Sequence, residues 1–215
     1  MTNTYKYLFF DLDGTITDPF EGITACVKYA LEQFGIHADQ KDLVSFIGPP
    51  LKDEFMRRFD MSEEDAEEAV RWYRKRYPNL GIFECEVYSG MRELLEKLSR
   101  DHVLVLTTSK PLEFALRVLE HFDIKKYFTH TVGATFDGRL SEKTDVLAEA
   151  LRVSGAPLDK SAMIGDRLFD TEAGIANGIA SIGVTYGYGT SDEHKNAVFT
   201  ANSVKSLAEF LGVED

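Results

Sequence analysis

The chain has 215 residues, 44% of them hydrophobic and 28% charged, with a formal net charge of -12. That is enough for a sizeable core in one domain, or in one domain with an insert, and the acidic balance argues against nucleic acid or an anionic membrane as partner while leaving room for a small anion in a locally positive site. Cys26 and Cys85 make no disulfide framework, the start of the chain reads unlike a signal peptide, and no apolar run approaches the roughly 18 residues of a membrane span, so a cytoplasmic protein is expected.

In chain order, Tyr7–Leu12 is predicted as a short buried strand, apolar and rich in aromatics. From Phe20 to about Tyr77 the pattern is helical throughout. Ile23, Val27, Ala30, Leu31 and Phe34 recur at helical spacing up to Gly35. A short helix over Leu43–Ile47 closes at Gly48-Pro49-Pro50, and another covers Lys52–Phe59. Ser62 caps the next, with Asp65 three residues on, and Pro78 stops it. After Tyr88 the pattern alternates. Helices are predicted over Met91–Leu98, from Pro111 to Phe122, from about Ser141 to Val153, over Leu168–Asn177 with Gly178 as its stop, and over Val204–Leu211. Strands fall at Val103–Leu106, Thr131–Ala134, Ala162–Ile164 and Ala180–Val184. Strands separated by helices imply βαβ units, hence an α/β fold with a Rossmann-like parallel sheet. The all-helical stretch sits inside it as an insert, with residues 1–17 and 86–215 expected as the core and 18–85 as the helical insert.

Ligands of open parallel sheets bind beyond the carboxyl ends of the strands, and four strand ends here carry polar residues. The first strand runs into Asp11-Leu12-Asp13-Gly14. At a period of two, both carboxylates point to one side, where they repel unless a cation or a proton stands between them. Thr107-Thr108-Ser109-Lys110-Pro111 follows the second of these strands and offers hydroxyls and backbone N–H groups to an anion. Lys143 stands near a helix start, where a cation opposes the helix dipole and an anion nearby would relieve it. Gly165-Asp166-Arg167-Leu168-Phe169-Asp170 adds two more acids; capping accounts well for Asp170 and less well for Asp166. Each stretch alone has an ordinary explanation as a turn or a cap. Together they read as a phosphate site, with acids for a hard divalent cation such as Mg²⁺, Thr108 and Lys143 to neutralise a phosphoryl group, and one aspartate left as nucleophile.

DLDGT, TSKP, Lys143 and GDRLFD, in that order and spanning essentially the whole chain, resemble the haloacid dehalogenase superfamily of phosphatases. The insert resembles the helical cap of that superfamily's first cap class, and FIGPPL and VTYGYG resemble phosphoglycolate phosphatase-like members. The resemblance implies that Asp11 is the nucleophile and forms an aspartyl phosphate, and that Asp13 is the general acid and base. It implies that Thr108 and Lys143, with Ser109 beside them, bind the phosphoryl group. It places Mg²⁺ on Asp11, the carbonyl of Asp13 and Asp166, with Asp170 in support. The chain departs from many phosphoglycolate phosphatases in having Ser109 after the threonine and Thr144 after the lysine. Lys52, placed at a helix start by the stiff Gly48-Pro49-Pro50 turn, is a candidate partner for a second anionic group on a small phosphorylated metabolite. The alternatives are a nucleotide or pyrophosphate phosphohydrolase, a sugar-phosphate mutase of the same architecture, and a silent member that senses a phosphorylated ligand.

Overall fold

A computed structural model describes residues 5–213. The chain divides into two compact units, one made of the segments up to Asp18 and from Val87 onward, the other of Pro19–Glu86. The first is an α/β layer structure. Its strands are β1 (Tyr7–Phe10), the short β2 (Thr17–Asp18), and β3 (Glu86–Val87) at the junction with the second unit, followed by β4 (Val103–Pro111), β5 (His130–Ala134), β6 (Ser161–Gly165), β7 (Ala180–Val184) and β8 (Phe199–Ala201). Six of them form one sheet in the order β5-β4-β1-β6-β7-β8, with every pair parallel. Its helices are α4 (Met91–Asp101), α5 (Leu112–His121), α6 (Lys143–Ser154), α7 (Leu168–Ala176) and α8 (Val204–Phe210).

The chain leaves β1 toward β4 and β5, then returns across it to β6, β7 and β8. Strand order therefore reverses beside β1, the switch point beyond whose carboxyl end ligands of such sheets bind. Alternation along the strands sorts the core. Phe9, Val105 and Met163 pack with Val146, Leu147 and Ala150 of α6 and Ala173 of α7. Leu8, Phe10, Leu104, Leu106, Ala162 and Ile164 are equally buried and belong to the other face. Because both faces are covered, the central strands read as nearly continuous apolar runs.

The expected strands and helices of this unit are all present, with ends shifted by a few residues. β4 runs on to Pro111 instead of ending at Leu106, and α6 begins at Lys143 after an extended Glu142 with no side-chain cap. β8 was not expected; it is three residues, FTA, with an exposed threonine at its centre.

The second unit holds α1 (Phe20–Glu32), a 3-10 segment Gln40–Phe46, α2 (Leu51–Phe59) and α3 (Glu63–Arg76). The helix expected over Leu43–Ile47 is thus a 3-10 turn that starts earlier. Ser62 caps α3 as its sequence implies, its Oγ accepting from the Asp65 N–H at 3.1 Å. Val27, Leu31, Leu43, Phe46, Phe55, Ala66 and Ala69 are fully buried or nearly so, and the Phe46 and Phe55 rings stand 4.8 Å apart. Among the described residues no helix is long and apolar enough to cross a membrane.

Candidate active site

Phe10 is the last residue of β1, and the Asp11 N–H still bonds to the Ile164 carbonyl at 2.9 Å. Asp11 therefore sits where the strand would continue, on the α6 side that Phe9 also faces. Beyond it the chain turns. The Leu12 carbonyl accepts from the N–H groups of Thr15, Ile16 and Thr17, and the Gly14 N–H bonds to the Thr17 carbonyl at 2.7 Å. Gly14 has φ +84, and a Cβ there would lie 2.2 Å from Asp166 Oδ2, so the turn and the acid behind it both demand glycine. Asp11 and Asp13 meet different cations, Lys143 and Lys110.

Asp11, Asp166 and Asp170 each bring a carboxylate oxygen within 4.8 Å of the others, and all three residues are buried. Lys143 is buried against them, its Nζ donating to Asp11 Oδ1 at 2.6 Å and lying 2.8 Å from Asp170 Oδ1. The misplaced cation at the start of α6 thus has its anions. Asp166 comes from the end of β6. Its Oδ2 accepts from the Tyr188 N–H at 2.8 Å, and the Thr15 hydroxyl reaches its Oδ1 at 3.4 Å. Asp170 does cap α7, taking the Arg167 N–H at 3.0 Å on Oδ2, and its other oxygen faces Lys143.

The electrostatics of the group are those of three acids around one ammonium. Burial would lower the Lys143 pKa, but the charges of Asp11 and Asp170 outweigh it and hold that pKa above the ordinary lysine value. Burial, then the charges of Asp170 and Asp11, push Asp166 up to about 8. Burial likewise raises Asp170, with Lys143 offsetting part of the shift. Three converging carboxylates with too little positive charge are what a hard, oxygen-seeking cation requires, and the residues present fit Mg²⁺. A consequence follows for stability. A carboxyl whose folded pKa is raised stabilises the fold below its unfolded pKa and loses that contribution as pH rises through the folded value. Without divalent cation, the Asp166 contribution should therefore fall from near pH 3.8 to about pH 8, and Mg²⁺ should flatten the fall. Melting curves across that range, with EDTA or Mg²⁺, check it.

A second layer fixes Asp166. His194 Nε2 meets the Asp166 carbonyl at 3.1 Å and its Nδ1 meets Thr171 Oγ1 at 3.0 Å, and burial holds the His194 pKa below the ordinary histidine value. Glu193 accepts from the Leu168 and Thr190 N–H groups and pairs with Arg167 at 3.2 Å. The YGYG stretch lies so close that a Cβ on Gly189 would come within 1.7 Å of the Asp166 carbonyl oxygen. Tyr186 donates to the Thr15 carbonyl at 3.0 Å, and Tyr188 donates to Asp18.

None of the remaining expected residues belongs to the three-acid group. Thr108 is buried, its Oγ1 accepting from the Lys110 N–H at 3.2 Å, and Ser109 is exposed. The Asp13 carboxylate stands outside the three-acid group and pairs with Lys110 Nζ at 2.5 Å. Lys110 was missed; its signal is the TSKP stretch itself, in which the lysine was passed over for the hydroxyls. Lys52 lies in the second unit, where its ammonium meets Glu63 at 2.6 Å and Glu67 at 2.8 Å. Those two carboxylates answer its charge within its own unit.

Lys143 is buried and its charge is answered by Asp11 and Asp170. Removing one member of a buried ion pair typically costs about 3–5 kcal/mol, because the partners stay buried and uncompensated. Lys143→Ala in EDTA should lower the melting temperature by roughly 10 °C, and unchanged melting would contradict the counter-ion role.

A family model described as "Haloacid dehalogenase-like hydrolase" matches residues 8–184. The chain belongs to the haloacid dehalogenase-like hydrolases. It is 42% identical to a protein of Pseudomonas aeruginosa called 5′-nucleotidase, over 88% of this chain and 86% of that one. It is 36% identical to the protein of Mycobacterium tuberculosis called tyrosine-protein kinase PtkA, over 97% of this chain and 73% of that one. A predicted phosphatase from Clostridium acetobutylicum has the same fold, with TM-score 0.89 and 44% identity over 95% of this chain and 97% of that one. More distant, at 27% identity over 97% of this chain and 96% of the relative, is a protein of Vibrio parahaemolyticus called phosphoglycolate phosphatase. At the level of class this haloacid dehalogenase-like hydrolase is a phosphatase.

Proposed function

We propose that the chain is a Mg²⁺-dependent phosphomonoester hydrolase that works through an aspartyl phosphate on Asp11. The observation that carries this reading is the pairing of Asp11 with Lys143 inside a buried three-acid group, while Asp13 is held apart by a cation of its own. Bound to carboxylate oxygens of Asp11, Asp166 and Asp170, Mg²⁺ would supply charge neutralisation to the phosphoryl oxygens. Asp11 offers phosphorus the carboxylate oxygen that Lys143 does not hold. Thr108 and Lys143 bind the transferring phosphoryl group, and Lys143 answers the charge gathering there. Asp13 gives the leaving oxygen a proton in the first half-reaction and takes one from water in the second.

For the ester itself, a nucleoside 5′-monophosphate stands first, because the 42%-identical relative is called a 5′-nucleotidase. Phosphoglycolate stands second, supported by VTYGYG and FIGPPL and by a relative at 27% identity. Purified protein assayed with AMP, phosphoglycolate, pyrophosphate, a hexose phosphate and p-nitrophenyl phosphate ranks these readings. EDTA should abolish turnover and Mg²⁺ restore it, with Ca²⁺ a poor substitute because its bonds are longer and its geometry looser. Full activity in EDTA would remove the metal from the reading, and no turnover of any ester would remove the hydrolase.

A further inference from the structure

Lys110 has no place in the mechanism so far, yet its side chain is only 6% exposed and its ammonium lies 2.5 Å from Asp13 Oδ2. Burying a lysine side chain against a partly covered aspartate costs hydration, and a solvated turn would serve folding as well. The backbone is shaped to make this pair. β4 and β5 run in register up to Thr108 opposite Gly133; the next partners are Pro111 and Ala134. Ser109 and Lys110 are thus inserted between positions that are adjacent on β5. Ser109 goes to solvent, and the Lys110 side chain goes inward to Asp13. Irregularities of this kind re-aim a side chain beside a site.

Two lysines therefore divide three acids. Lys143 takes Asp11 and Asp170 from the group that also contains Asp166. Lys110 takes Asp13, which follows Asp11 by two residues but stays out of that group. We propose that Lys110 is a positioning residue for Asp13: it holds that carboxylate away from the three converging acids and aimed at the leaving oxygen, so that Asp13 remains a proton carrier instead of becoming a fourth acid of the cation site.

This rests on the phosphomonoesterase reading. In the first half-reaction an Asp11 oxygen bonds phosphorus as the ester P–O bond breaks. The electron pair stays on the ester oxygen, which takes the proton from Asp13, and the carboxylate left behind is the one Lys110 pairs. In the second, the water oxygen bonds phosphorus as the bond to Asp11 breaks, and the same carboxylate takes the water's proton. Lys110 stabilises and orients the form of Asp13 that ends the first step and begins the second.

The test uses the full chain with Mg²⁺. Rapid quench measures phosphoenzyme formation from AMP, whose alkoxide must be protonated, and from p-nitrophenyl phosphate, whose phenolate need not be. Wild-type turnover of both decides the phosphomonoesterase reading separately. Lys110→Met should slow formation from AMP at least about ten-fold more than from p-nitrophenyl phosphate, within the roughly 10²–10⁴-fold that general acid–base help supplies. KM should hardly move, and Lys110→Arg, which keeps a charge to pair with Asp13, should recover most of the loss. If Lys110→Met does not fold, Lys110→Gln keeps a hydrogen bond but no charge and carries the same comparison. An equal loss for both leaving groups, or a loss confined to KM, would overturn the proposal, the second making Lys110 a substrate ligand instead.

Discussion

Asp11→Asn is expected to abolish turnover, by a factor on the order of 10⁴ or more, and to leave the fold intact. The amide is nearly isosteric with the carboxylate, and its oxygen can still accept from Lys143, which keeps Asp170 at 2.8 Å. It is a poor nucleophile toward phosphorus and lacks the negative charge of a cation ligand. Removing one negative charge from three crowded acids relieves repulsion, so the variant in EDTA should melt at the same temperature as wild type or higher. That sign separates this variant from Lys143→Ala, which takes away the positive charge of the same group and should melt lower. Wild-type protein quenched in acid during turnover should carry an acid-stable, base-labile phosphate, and Asp11→Asn should carry none. A variant as active as wild type would refute the covalent mechanism.

Asp13→Asn comes next in expected effect. Phosphoryl transfer from an alkyl ester expels an alkoxide, which leaves poorly unless it is protonated on departure. With its carboxylate outside the three-acid group and 17% exposed, Asp13 is placed to carry that proton without binding the cation. The variant should lose roughly 10²–10⁴-fold with alkyl phosphates. It should lose far less in phosphoenzyme formation from p-nitrophenyl phosphate, since nitrophenolate departs unprotonated. Water then attacks without a base to take its proton, so the phosphoenzyme should accumulate. Burst and steady-state rates with both substrates measure this. An equal penalty for both leaving groups with no accumulation would make Asp13 a structural residue. Lys110 would face an amide in this variant, so adding Lys110→Met to Asp13→Asn should cost little more, as expected where one residue acts through the other.

The sequence by itself determined what depends on near neighbours. The apolar run of β1, the Ser62 cap, the helical period of α1 and the glycine after α7 are each set within a few residues, where sterics and capping operate. Alternating strands and helices were enough for the parallel sheet, and of the residues in the four polar stretches the structure brings Asp11, Lys143, Asp166 and Asp170 together. The tertiary structure decided which charge meets which. Lys143 reaches Asp11 across 132 residues and Lys110 reaches Asp13 across 97, and no local pattern carries those separations. Which cation each of Asp11 and Asp13 meets was decided by the fold, and the Gly14 turn that follows them depends on Asp166 standing behind it. β8 takes its place through pairing with β7, not through a strong strand signal of its own. That Lys52 pairs with Glu63 and Glu67, on the next helix, likewise could not be read before the chain had folded. A buried charge is stable only with its partner in place, and where that partner stands is settled by packing between elements, not by the sequence around it.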